Sequence, residues 1–370
     1  MVKDARQKKL RGLAQSFRGR RKLLFSAGAP MNVVVLRPLL DVLARDERIE
    51  LFFAGEYRRP GDTEELAREA GLTGVTLLSE QEAKRLKGDL YLCPDGSRYG
   101  KLCHCRVLLF HGVSFKGRSL SDRARWFHRV FLVGPYQRRQ FVERGIFEEH
   151  DPRLIDIGMP KLDRLAHGEF DRDQLRRKWR VAAGSHCVLY APTWSDQSSL
   201  FTLGEELIAA LSAEPDLHLL VKLHDHHRNP DRSSVDWVAR SAKWNAERVT
   251  LVEDLDVTPA LAAADLLITD ASSVSQEFCL LDRPILFARV PALYASERYR
   301  STADLTTWGQ RAGRTFETVP EARQLLRMSL EHPQELSAVR RELARDLFYH
   351  PGQATERALE ALYRELRLTR

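Results

Sequence analysis

Short apolar runs recur along the chain, and stretches with apolar residues at helical spacing separate them. In the first half the runs are Lys22–Ala27, Ile49–Ala54, Val75–Leu77, Asp89–Leu92, Arg106–Phe110, Val130–Val133 and Leu154–Ile157. Between them, Asn32–Ala44, Thr63–Ala70 and Gln137–Arg144 carry apolar residues three and four apart, the helical period. In the second half the runs are Cys187–Tyr190, His218–Lys222, Val249–Val252, Asp265–Thr269 and Pro284–Ala288. Helical patterns over Leu203–Leu211, Ser233–Ala242, Val257–Ala263 and Ser273–Leu281 separate these. Runs that are apolar throughout, rather than alternating, belong to strands buried on both faces. Their alternation with helices predicts parallel sheets covered on both sides. The pattern runs through both halves, so we expect an α/β protein of two doubly wound, Rossmann-like domains facing a cleft.

A charged helical connector, Phe170–Arg180, places the expected boundary near Asp171. The expected units are a basic arm over 1–22, a first domain over 23–170, a second over 171–350 and a last helix within 351–370. From Glu321 onward the chain reads as helical and highly charged. Pro351 and Gly352 break it before a final helix, Ala354–Arg367.

Composition narrows the class. A chain of 370 residues has length for two cores, and 43% hydrophobic with 29% charged residues fits a globular enzyme. No run of eighteen apolar residues occurs, and the basic start leads into no apolar h-region. Neither a membrane span nor a leader is therefore expected. The five cysteines form no C-x-x-C pair, which points to a reducing cytoplasm. Cys103-His104-Cys105 has the look of half a metal site, but no second ligand pair follows it. His226 and His227, beside His224, raise the same question, yet adjacent ligands on a loop rarely converge on one ion. No metal and no cofactor are expected.

The net charge of +7 is unevenly placed: Met1–Lys22 holds nine Lys or Arg against one acid, Asp4. Leu10, Leu13, Ala14 and Phe17 fall at helical spacing opposite Lys8, Lys9, Arg11 and Arg18. A basic amphipathic helix lies on anionic membranes, and the same composition also describes a solvated arm. The first alternative makes the protein peripheral on the inner face of the cell membrane. No helix-turn-helix, zinc-finger or RNP pattern accompanies the charge, so nucleic acid is not an expected partner.

The stretch Asp265–Phe278 is the strongest chemical signal. It reads as a buried strand that stops at Asp270, turns through Ser272 and Ser273, and enters a helix. Unpaired N–H groups at a helix start, with serine hydroxyls beside them, can seat a phosphate or diphosphate. The plain alternative is that a serine only caps the helix. Glu277 falls about one turn from the serines, within reach of a sugar hydroxyl. Ligands of such sheets bind beyond the carboxyl ends of the strands, and other unusual residues collect there. His111-Gly112 follows one strand with Lys116 close behind, and a histidine there can act as general base. Lys222-Leu223-His224-Asp225 ends another strand, with His224 able to touch a phosphate. Thr193, in Tyr190-Ala191-Pro192-Thr193-Trp194, is able to donate a hydrogen bond to a phosphate.

Five motifs stand in order: His111-Gly112 with Lys116; Gly158-x-Pro160-x-x-Asp163; Ala191-Pro192-Thr193-Trp194; Lys222-Leu223-His224; and Thr269-Asp270-x-Ser272-Ser273 with Phe278, Arg283 and Pro284. Together, over roughly residues 105 to 360, they resemble the CDP-glycerol glycerophosphotransferase family of teichoic-acid polymer synthesis. The resemblance implies a GT-B architecture with the nucleotide held mainly by the second domain and the acceptor by the first. It implies His111 as catalytic base and His224 with Ser272 and Ser273 on the diphosphate, with Glu277 against the nucleoside. Lys116, Thr193, Lys222 and Asp270 complete the expected donor set. The implied reaction takes a polyol phosphate from a CDP-activated donor to a lipid-linked or polymeric glycan, releasing CMP. The chain departs from the family pattern at Asp225, Ala271 and Ser195, where Pro, an aromatic residue and Arg are usual. A UDP-sugar glycosyltransferase or epimerase on the same fold is the alternative enzyme, and a scaffold with a degenerate site the alternative without catalysis.

Overall fold

The computed structural model describes residues 19–55, 62–113, 120–228, 233–297 and 310–370. Two parallel sheets organise it. The first holds β1 (Arg21–Ala27), β2 (Ile49–Gly55), β3 (Thr76–Leu77), β4 (Leu90–Cys93), β5 (Cys105–Leu109), β6 (Arg129–Leu132) and β7 (Leu154–Asp156), in the order β3-β2-β1-β4-β5-β6-β7. The second holds β8 (His186–Tyr190), β9 (Leu217–Val221), β10 (Val249–Leu251), β11 (Leu266–Thr269), β12 (Ile285–Ala288) and β13 (Arg314–Phe316), in the order β10-β9-β8-β11-β12-β13. In each sheet the strand order reverses once, between β1 and β4 and between β8 and β11. Such switch points open a crevice at the carboxyl ends of the strands, where ligands of this architecture bind. β9 and β11 are buried throughout and β1 from Leu23 onward, as their unbroken apolar runs require.

The strands form where the sequence places them, with β13 added. Arg314-Thr315-Phe316 is too short and polar to announce itself, and pairing with β12 makes it a strand. Two helices differ from expectation. The pattern over Ser233–Ala242 forms a helix only at Trp237–Ser241, because the Asp236 carboxylate accepts the Ala239 N–H at 2.9 Å and starts it there. The segment after β11 forms an α-helix over Val274–Phe278 and tightens to a 3-10 turn over Cys279–Leu281.

The end of the chain returns to the first sheet. Helix Val319–Glu331 packs on the second sheet, and helix Ser337–Leu347 lies against helix Pro135–Glu143. Tyr349 then donates its N–H to the Val133 carbonyl at 2.8 Å. Helix Ala354–Glu365, expected as a separate unit, packs on helix Pro30–Leu43 of the first half. The motif Gly158-x-Pro160-x-x-Asp163 is the socket for this return. Gly158 has φ +101°, and a Cβ there would overlap the Tyr349 carbonyl oxygen, so only glycine fits. The Asp163 carboxylate accepts the N–H groups of Ala354 at 3.0 Å and Thr355 at 2.6 Å, capping the helix at its positive end. Tyr363 to Asp46 at 2.8 Å and Arg129 to Glu365 at 2.7 Å fasten its far end.

One apolar core runs from the first sheet across the junction to one face of the second, and a second cluster fills the other face. No described helix is long and apolar enough to cross a membrane. The expected basic helix and Lys116 lie outside the described residues.

Candidate active site

The second half of the site is built at the switch point between β8 and β11. Asp270, one residue past β11, is 1% exposed. A carboxylate buried that deeply needs donors, and this one has four. Its Oδ1 accepts the N–H groups of Thr193 at 2.8 Å and Ala271 at 2.6 Å, and its Oδ2 accepts the N–H and hydroxyl of Ser199 at 2.9 and 2.8 Å. The sequence reading placed Asp270 on the donor; in the structure its oxygens face these four protein donors. The carboxylate is turned inward and knits the loop after β8 to the turn after β11. Thr269 adds a bond from its hydroxyl to the Ala191 carbonyl at 2.7 Å. Thr193 is buried in this knot, with its N–H on Asp270.

The knot presents Ser272 and Ser273. Ser273, at the N-cap position, makes no side-chain cap, and Ser272 Oγ accepts the Val274 N–H only at a long 3.4 Å. Capping therefore does not account for the pair. Arg283 holds the element from below, donating to the Ala262 and Ala264 carbonyls at 2.8 and 2.6 Å.

Lys222 and His224 follow β9. Lys222 is buried, and its ammonium donates to the Leu223 carbonyl at 3.4 Å. Burial pushes its pKa down to about 8, against the pull of Asp225. His224 Nδ1 accepts the His226 N–H at 3.3 Å, which leaves the proton of the neutral ring on Nε2. Of the neighbouring histidines, His226 stands edge-on to the His224 ring, with centroids 5.4 Å apart, and His227 turns the other way. His226 packs on Trp194, with ring centroids 5.2 Å apart, and His227 on Phe201 at 5.3 Å. His227 Nε2 accepts the Ser195 N–H at 3.2 Å, so the residue that departs from the family pattern anchors its loop through its backbone. Among the described residues no three His, Cys, Asp or Glu side chains are grouped to hold a metal ion. Cys103 and Cys105 are buried thiols, pushed up to about 11 and about 12 by that burial.

The first half contributes His111, exposed just beyond β5. Its Nδ1 lies 3.1 Å from the Pro94 carbonyl oxygen. A carbonyl only accepts, so Nδ1 carries the proton and Nε2 the lone pair. The two site histidines thus hold opposite tautomers. Pro94 precedes Asp95, whose carboxylate accepts the Gly28 N–H at 2.9 Å and so ties the tips of β4 and β1. Beside them a cleft of about 450 Å³ opens between the halves, with Gly28, Ala29 and Pro30 on one wall and Asp225, Arg228 and Glu253 on the other. The halves also approach each other at Gly112: a Cβ built there would lie 3.9 Å from the Cβ of Ser273.

Glu277, expected against the nucleoside, lies where the two halves meet. It points into the junction, where Oε1 meets Lys161 Nζ at 2.7 Å, and both side chains are buried. Burial raises its pKa, an effect opposed by Lys161 and His111 and reinforced by Asp256. Lys161 was not read as a site residue. Its signal was its place inside the Gly158–Asp163 motif.

Two doubly wound parallel sheets whose strand tips face one cleft make this a GT-B protein. The family described as CDP-Glycerol:Poly(glycerophosphate) glycerophosphotransferase matches residues 120–364, and the chain belongs to it. Among relatives, the teichoic acid glycerol-phosphate primase of Bacillus spizizenii is 29% identical over 201 residues, covering 52% of this chain and 49% of that protein. The corresponding primase of Bacillus subtilis is 33% identical over 145 residues, 37% of this chain and 33% of that one. The chain spans about half the length, or less, of the curated relatives it matches. Among solved structures, the wall teichoic acid polymerase TagF shares the fold, with a TM-score of 0.64 and 13% identity over 94% of this chain and 89% of that one. The UDP-GlcNAc 2-epimerase of Neisseria meningitidis also shares it, with a TM-score of 0.57 and 12% identity over 93% and 100%.

Proposed function

We propose that this chain transfers glycerol phosphate, or a related polyol phosphate, from a CDP-activated donor to a hydroxyl of a lipid-linked or polymeric glycan. The observation that carries the reading is the approach of Gly112, the residue after His111 in one half, to Ser273 in the turn of the other. In the step, the acceptor oxygen forms a bond to the distal phosphorus of the donor. The bond from that phosphorus to the bridging oxygen breaks, and CMP leaves with the electron pair. The acceptor proton passes to His111 Nε2. Charge developing on the diphosphate is met by the Nε2–H of His224, the ammonium of Lys222 and the polar groups of Ser272 and Ser273. Phosphoryl transfer asks little covalent chemistry of a protein, so positioning and charge stabilisation supply the rate. In this reading the reaction takes place on the cytoplasmic face of the membrane, with residues 1–22 holding the cleft near a lipid-borne acceptor.

A thermal-shift panel of CDP-glycerol, CDP-ribitol, UDP-sugars and bare nucleotides tests the donor class. A ligand at one hundred times its Kd stabilises the fold by about 2.7 kcal/mol, a readable shift. Selective stabilisation by CDP compounds supports the reading. Selective stabilisation by UDP-sugars replaces it with a glycosyltransferase or epimerase.

A further inference from the structure

The halves of the site are joined by a buried charge pair, and burying charge is a poor way to join two surfaces. Desolvating two ions commonly cancels their attraction, and an apolar pair of similar volume packs as well or better. The Lys161–Glu277 pair is not even fully satisfied: Glu277 Oε2 is buried with no hydrogen-bond partner. A charge pair does provide one thing that apolar contact lacks, a single preferred geometry.

Both ends of the pair are anchored to the site. Lys161 lies in the turn Pro160–Leu162, between Gly158, which fits under the returning chain, and Asp163, which caps its last helix. That turn follows β7, in the same sheet as β5, which carries His111 at its tip. Glu277 lies one turn beyond Ser273 and donates its N–H to the Ser273 carbonyl at 3.4 Å. Moving Glu277 moves the serines, and moving Lys161 moves the floor under the first half.

We propose that the Lys161–Glu277 pair positions the two halves of the site, fixing the spacing between His111 and the Ser272–Ser273 turn. Both are positioning residues that touch no reacting atom. The proposal rests on the transfer reading above and deepens it.

The test uses the whole chain with both residues replaced, Lys161→Met with Glu277→Leu. The double variant should melt at or above the wild-type temperature and keep its Kd for CDP to within about twofold, while kcat falls about ten- to a hundredfold, the scale of a displacement near 1 Å. Lys161→Arg, which keeps the charge and changes the reach, should lower kcat with the Kd for CDP unchanged, and it decides the matter should the double variant not fold. Wild-type kcat in either variant overturns the proposal. So does a loss of CDP affinity as large as the loss of turnover, since Glu277 would then contact the nucleotide. Small-angle scattering gives a readout independent of activity: the folded double variant should be more extended than wild type, and an identical curve counts against positioning. A wild-type chain with no transfer activity would refute the transfer reading itself, a different result from any of these.

Discussion

Gly112 and Ser273, from opposite halves of the molecule, approach so closely that a Cβ on the glycine would be in ordinary contact with the serine Cβ, at 3.9 Å. A methyl there makes contact without a clash. Gly112→Ala should therefore fold and melt as wild type, within about 1 kcal/mol. Gly112→Leu should fold, because its side chain meets the cleft rather than the core, yet obstruct the space between His111 and the serines. We expect turnover to fall at least about tenfold for leucine and to hold for alanine, a contrast of size rather than chemistry. Equal activity in both would mean that the halves separate at this point during turnover.

Lys222 gives the donor site a pH dependence with a definite sign. Burial favours the neutral amine and brings its pKa to about 8. A diphosphate binds the ammonium form, so CDP affinity should fall as pH rises from 7 to 9, by about five- to tenfold. Cytidine, lacking the diphosphate, should bind equally at both values. In Lys222→Met the pH dependence should vanish. The unliganded protein runs the other way, because the cost of burying the ammonium is relieved as pH rises through about 8. Calorimetric titration with both ligands at both pH values checks the prediction, and parallel pH trends for CDP and cytidine would contradict it.

Asp270 should behave as a structural residue. Asp270→Ala strands the N–H groups of Thr193, Ala271 and Ser199 in a buried space and leaves the Ser199 hydroxyl with Tyr190 alone. Each unpaired donor costs about 1–3 kcal/mol before relaxation, so a loss of at least about 3 kcal/mol is expected. Denaturant unfolding reads it directly. A variant as stable as wild type but unable to bind CDP would return Asp270 to the donor.

The basic arm predicts salt-sensitive membrane binding. Each basic residue near an anionic surface contributes about 1 kcal/mol, and salt screens the attraction. The full chain should sediment with anionic vesicles at low salt and be released at high salt. A chain lacking residues 1–18, which leaves β1 intact, should stay in the supernatant while still binding CDP. Sedimentation of the truncated chain at wild-type levels would make the arm a solvated tail.

The sequence carried the architecture because parallel strands buried on both faces leave unbroken apolar runs, and Leu266–Thr269 or Leu217–Val221 can hardly be read otherwise. It also marked the strand tips that border the cleft, since Gly, Ser and His interrupt apolar patterns there. What it could not show was the direction in which a polar side chain points. Asp270 and Glu277 looked like ligand contacts because each follows or flanks a site serine, yet one turns into a knot of backbone donors and the other toward Lys161. Lys161 stayed unread because its partner lies more than a hundred residues away. The tautomers of His111 and His224 depend on Pro94 and His226, contacts that only the fold brings about.

The most direct measurement of the central claim is transfer itself, followed with CDP-glycerol labelled in the glycerol and a lipid-linked glycan acceptor. The account predicts label incorporated into the acceptor in equal amount to CMP released. It further predicts that His111→Ala lowers this rate by about a hundredfold or more while the Kd for CDP-glycerol stays near wild type. CMP release without incorporation, incorporation from a UDP-sugar in place of CDP-glycerol, or undiminished turnover in His111→Ala would each contradict it.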